Sequence, residues 1–146
     1  MYRQRAPVGS TARFAKPQAA GMVAVVLSLT RKTDYALIAT GYLAHRRRAG
    51  LGPTSARTIA EAFDLPLPLL MNVLKALSQR VLVSSTRGAG GGYELAVEPA
   101  ELDLLTVARA VEGGEEPEDH PAVQRLRRRL EAELAGLTVA DLVDDF

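Results

Sequence analysis

The chain predicts a mainly α-helical domain with one small β-hairpin: a winged helix-turn-helix extended by a long C-terminal helix. Three patterns predict it. Two short helical patterns are separated by a turn of about four residues. A glycine-packed hairpin between strand-like runs follows the second of them, and a separate apolar stripe at helical spacing lies near the end of the sequence. At 146 residues and 47% hydrophobic, the chain can bury one ordinary core. Its longest apolar run, Met22 to Leu27, is far too short to span a bilayer.

Residues 1–28 differ from the rest, with Pro7, Gly9, Pro17 and Gly21 interrupting any periodicity. They read as a disordered basic leader without the apolar core of a signal peptide. Met22 offers an alternative start that would leave residues 1–21 untranslated, and both readings stand. The winged helix-turn-helix unit is expected over residues 29–112. Thr30 is a natural N-cap for a helix to about Arg48, with Tyr35, Ile38, Ala39, Tyr42 and Leu43 marking its buried face. Arg46, Arg47 and Arg48 fall in its last turn, where cations complement the helix dipole, and Gly50, Gly52 and Pro53 end it.

Thr54 or Ser55 can cap a second, short helix through Phe63. A third starts near Pro68, since proline suits a first helical turn. Its stripe, Leu70, Val73, Leu74 and Leu77, follows i, i+3, i+4 and i+7, which turns Leu69, Asn72, Lys75 and Ala76 outward and leaves Met71 at the boundary. Val81 to Ser85 and Tyr93 to Val97 read as antiparallel strands around the glycines, and Pro99 ends the unit. A fourth helix is expected from Leu102 to Val111 and an acidic loop over residues 113–119. Residues 120–146 then form a fifth helix, about Pro121 to Ala135, and a last short helix, Val139 to Val143, capped by Thr138.

The absence of cysteine excludes disulfides, thiolate metal sites and a cysteine nucleophile. Two histidines, His45 and His120, make no metal cluster, and no paired carboxylates or nucleophile–base pair lie at catalytic spacing. Neither an enzyme nor a cofactor is expected. Charge is uneven: residues 1–29 hold four basic residues and no acid, residues 30–97 nine basic and four acidic, residues 98–146 five basic and thirteen acidic. A basic middle suits a polyanionic partner.

Arg87-Gly88-Ala89-Gly90-Gly91-Gly92-Tyr93 carries the sharpest chemistry. Glycine loops that cradle nucleotide phosphates follow a strand and open a helix, whereas strand-like residues follow this one. An inert flexible hairpin is the plainer alternative. Arg87, uncompensated and followed by Gly88 at the tip, instead suits insertion into a DNA minor groove. On the third helix, Asn72 can bond adenine bidentately and Lys75 can reach guanine or phosphate, while simple solvated surface remains the competing reading. Thr30, Arg31 and Lys32 gather hydroxyl, amides and cations at a helix N-terminus, an arrangement fit for phosphate as well as for capping alone. Val123, Leu126, Leu130 and Leu134 on the fifth helix must be covered either by their own domain or by a second copy.

These segments resemble the IscR/NsrR-type (Rrf-two) family of bacterial winged-helix regulators. The resemblance rests on Leu29-Thr-Arg-Lys-Thr-Asp-Tyr-Ala-Leu37, on Ile59-Ala60-Glu61 with Leu65-Pro66, and on the wing from Ser84 to Ala96. Ala110-Val111-Glu112-Gly113 and Leu137 to Leu142 extend it. It implies a cytoplasmic homodimeric transcriptional regulator, a repressor on a palindromic operator, with the fifth helix crossing its mate. It implies backbone contacts at Thr30, Lys32 and Tyr35, base-reading positions at Pro68, Met71 and Asn72, and a minor-groove arginine at Arg87. Many members hold an iron–sulfur cluster through three cysteines that this chain lacks, and His120 alone cannot replace them. A cluster-free regulator of double-stranded DNA is therefore expected, its signal a small molecule, a partner protein or none. The weak hydrogen-bonding capacity of Pro68 and Met71 motivates one alternative, a winged-helix module that binds another regulator instead of DNA.

Overall fold

Thr30 turns its hydroxyl onto the amino end of helix α1 (Arg31–Arg48), accepting a hydrogen bond from the Thr33 amide at 3.4 Å. A computed structural model describes residues 30–112 and 120–146; the expected leader and the expected acidic loop lie outside the described residues. α1 is the central element, packing on the helices Leu104–Glu112, Leu67–Gln79 and Val139–Leu142 and on the strand Gly92–Leu95. Its buried side is wider than the large residues alone suggest. Thr33, Ala36, Ala39, Thr40, Gly41, Leu43 and Ala44 are buried, whereas Tyr35, Ile38 and Tyr42 are only half-buried. Small side chains let neighbouring elements approach closely, and the Thr40 hydroxyl satisfies itself on the Ala36 carbonyl at 2.8 Å.

Ser55, and not Thr54, caps α2 (Ala56–Phe63), its hydroxyl accepting from the Thr58 amide at 3.0 Å. Thr54 is buried and pairs instead with the wing. Asp64 ends α2 in the left-handed conformation, φ 53°. α3 (Leu67–Gln79) follows, with Pro68 in its first turn and Leu70, Val73, Leu74 and Leu77 buried as the stripe predicts. Truncating any of those leucines would cost about 2–5 kcal/mol, which fixes α3 against the core by one face.

The wing differs from expectation at both ends. Val81 is not a strand residue: its φ of 60° makes it the turn that redirects the chain after α3, and its side chain is 72% exposed. β1 is Val83–Thr86 and β2 is Gly92–Leu95, paired antiparallel with Val83 opposite Leu95 and Thr86 opposite Gly92. Thr54 adds an isolated bridge to β2, exchanging bonds with Tyr93: its amide donates to the Tyr93 carbonyl at 3.0 Å and its carbonyl accepts from the Tyr93 amide at 2.7 Å.

A 3₁₀ turn at Pro99–Glu101 leads to α4 (Leu104–Glu112). The helix starts later than Leu102 because the Asp103 carboxylate takes the Thr106 amide at 2.8 Å and the Thr106 hydroxyl at 2.7 Å. α5 (Pro121–Ala135) is capped by His120, whose Nδ1 accepts from the Ala122 amide at 3.2 Å. That places His120 at a helix start, as its position in the sequence implies. α6 (Val139–Leu142) carries a capping box between Thr138 and Asp141. The final ring, Phe146, lies 5.5 Å from that of Phe63 and 6.5 Å from that of Tyr42. It can do so because a Cβ at Gly41 would stand 2.3 Å from Phe146 Cε2.

Candidate nucleic-acid interface

α3 shows one face to the core and the opposite one to solvent. Pro68, Asn72 and Lys75 are exposed there, and Gln79, four residues beyond Lys75, continues the row. Met71 is not a boundary residue but 50% exposed, and Leu69 is 41% exposed. Ala76, expected outward, is half-buried against the core. The side chains of Asn72 and Lys75 have no hydrogen-bond or ion-pair partner among the described residues.

The wing holds Arg87 in the same condition: exposed, and without a partner among the described residues. Gly88 (φ 99°) and Gly90 (φ 75°) supply the left-handed turns of the tip, closed by the Gly91 amide donating to the Gly88 carbonyl at 3.0 Å. The root of the wing depends on Gly92, where a Cβ would lie 2.4 Å from the Thr54 carbonyl oxygen. Arg87 therefore sits at the end of an anchored finger.

At the amino end of α1, Lys32 is exposed and Tyr35 is half-buried on the core. Thr30 is exposed, but its hydroxyl and that of Thr33 both donate to the Glu112 carboxylate at the end of α4. An anion thus already occupies the helix N-terminus, where the dipole favours one. Nothing in the local sequence announces this pairing of residues far apart in the chain. Burial pushes the Asp34 carboxyl above the ordinary carboxylate range, against the opposing pull of the Arg31 guanidinium.

The three arginines that close α1 each find a partner within the fold. Arg46 bonds the Gly52 carbonyl at 3.0 Å, Arg47 pairs with Glu98 and Arg48 reaches Asp144 at 2.7 Å. Their charges are engaged within the fold. On α5, Val123 is 45% exposed, Leu126 and Leu130 are half-buried, and Leu134 packs at the edge of the core. Its Glu131 meets Arg109 of α4 at 3.3 Å.

Comparison with known proteins agrees with this geometry. The Rrf2 family, described as iron-dependent transcriptional regulators, matches residues 29–145. A helix-turn-helix transcriptional regulator of Synechocystis is 31% identical over 133 residues, covering 82% of this chain and 89% of the relative. The regulator NsrR of Bacillus subtilis is 34% identical over 59% of this chain and 58% of its own length. Among solved structures, an IscR from T. potens superposes with a TM-score of 0.71 at 31% identity, covering 84% of this chain and 90% of that one. CymR, the global cysteine regulator of B. subtilis, gives 0.69 at 29% identity, covering 82% and 98%.

Iron is part of the family's description, yet the donor set here does not fit an iron–sulfur cluster. There is no thiolate anywhere in the 146 residues. Among the described residues, no three histidine, aspartate or glutamate side chains converge as a metal site, and no helix is long and apolar enough to cross a membrane. With its winged helix-turn-helix fold, the exposed outer face of α3 and these relatives, the chain belongs to the Rrf2 family as a cysteine-less, DNA-binding transcriptional regulator.

Proposed function

We propose that the protein is a cytoplasmic repressor that binds a palindromic operator as a homodimer. Residues 29–112 form its DNA-binding unit and residues 120–146 its dimerisation arm. The two α3 helices enter major grooves about one helical turn apart, and the two Arg87 wings enter the flanking minor grooves. Asn72 and Lys75 contact base edges, Pro68 and Met71 pack beside them, and Gly88 lets the tip approach the backbone closely. Lys32 and Tyr35 contact phosphates, and Thr30 joins them by exchanging the Glu112 carboxylate for a phosphate. Val123, Leu126, Leu130 and Leu134 meet their counterparts across the two-fold axis. Control is exerted by a signal other than thiolate-held iron.

One observation carries the reading: Asn72, Lys75 and Arg87 are exposed on the recognition helix and the wing, with no partner for their side chains among the described residues. Gel-shift titration at fixed salt tests it. Arg87→Ala should weaken operator binding by about 1–3 kcal/mol, the usual cost of a lost specific contact. An unchanged affinity removes the wing from the mechanism. Sedimentation of the free protein at micromolar concentration should give twice the chain mass, and a monomer there overturns the two-fold arrangement.

A further inference from the structure

The exposed face of α3 is unusual for a base-reading helix in being almost uncharged. Lys75 is the single charge in its 13 residues. Two large apolar side chains flank the polar row of Asn72, Lys75 and Gln79. At about 100° of rotation per residue, Met71 stands on one side of Asn72 and Leu69 on the other. Their exposures, 50% and 41%, are too large for core residues and are not explained by packing within the chain. Neither can donate or accept a hydrogen bond of consequence, and neither can Pro68.

The major-groove edge of DNA presents one apolar group, the 5-methyl of thymine. Guanine and cytosine edges lack that methyl and present chiefly hydrogen-bonding atoms, which Leu69 and Met71 would desolvate without compensation. Asn72, between them, has the paired donor and acceptor that adenine requires. Building on the placement of α3 in the major groove, we infer that Leu69 and Met71 read thymine methyl groups on either side of the base bonded by Asn72. The half-site core under α3 is accordingly A·T-rich, and its specificity is largely apolar. Continuity with the DNA-binding helix selects this occupant over a protein surface.

The test uses the full chain and a duplex selected by it from a random pool. The duplex is resynthesised with uracil in place of each thymine in turn, which removes one methyl and leaves the hydrogen-bonding pattern intact. Each contacted methyl should change wild-type affinity about fourfold, the value of one buried carbon at roughly 0.8 kcal/mol. Leu69→Ala and Met71→Ala should each abolish discrimination at their own position while leaving salt dependence unchanged, since neither touches phosphate. Being exposed, both substitutions leave the core intact. Equal wild-type binding of thymine and uracil duplexes overturns the inference, as does discrimination that survives in both variants. If Asn72→Ala and Lys75→Ala also bind the selected duplex like wild type, the placement of α3 itself falls, and the methyl reading with it. Loss of affinity in those two variants with no uracil effect rejects the methyl reading alone.

Discussion

Replacing Gly92 with alanine should detach the wing from the body of the domain, and the size of the effect follows from local geometry. Gly92 has φ +138°, a region that residues with a side chain rarely enter, and forcing one there costs about 1–3 kcal/mol. The new Cβ would also stand 2.4 Å from the Thr54 oxygen, 2.5 Å from its carbonyl carbon and 3.0 Å from its nitrogen, all backbone atoms that cannot swing aside. Relief requires Thr54 to retreat, which breaks its two bonds with Tyr93, at 3.0 and 2.7 Å. Two backbone hydrogen bonds contribute about 1–3 kcal/mol together. The total loss is roughly 2–6 kcal/mol. Gly90→Ala is the matched control: its φ is +75° but its Cβ meets nothing within 4 Å, so strain alone applies, at about 1–2 kcal/mol. Urea unfolding of both variants, with operator affinity measured in parallel, separates the terms. If Gly92→Ala proves no more destabilising than Gly90→Ala, the Thr54 bridge does not anchor the wing.

Three further outcomes follow from single residues. Val81→Gly should stabilise the fold by about 0.5–1 kcal/mol, because relief of left-handed strain exceeds the added entropy of glycine and the exposed side chain has little packing to lose; urea midpoints report it. Glu112→Gln removes the negative charge from the amino end of α1 and should tighten operator binding about two- to fivefold, in keeping with 0.3–1 kcal/mol for a charge at a helix terminus; weaker binding would show the carboxylate aiding the complex. Asp34 holds its proton to higher pH in the folded state than in the unfolded chain. Its contribution is therefore greatest in acid and is lost as pH rises through the folded value, so wild type should fall relative to Asp34→Asn from the usual carboxylate range toward neutrality. A flat or rising difference between the two proteins refutes that sign.

Periodic elements were legible in the chain, and contacts between distant segments were not. The α3 stripe was readable because Leu70, Val73, Leu74 and Leu77 repeat at helical spacing and no competing pattern overlaps them. The wing announced itself through its glycines and Arg87. Val81 was misread because valine favours strands by composition, while the turn after α3 imposed a left-handed conformation from outside the local preference. The buried side of α1 was underestimated because Ala36, Thr40, Gly41 and Ala44 are selected for smallness, a property that counting large apolar residues overlooks. The Thr54–Tyr93 bridge and the hold of Glu112 on Thr30 join residues far apart in sequence, and no spacing rule reaches them. On the exposed face of α3 the outward turn of Leu69 was legible from the helical spacing, whereas Gln79, four residues beyond Lys75 in the same row, was left unread.

α5 fully buries none of its fifteen side chains. An isolated helix of that length is marginal in water, and within the chain α5 is held by partial burial, as at Leu134, and by the Glu131–Arg109 pair. On the two-fold reading, the firmness of this arm becomes a matter of abundance. Upon dilution it would loosen well before the core around α1 and α3, and occupancy of the operator would rise more steeply than in proportion to the number of chains in the cell.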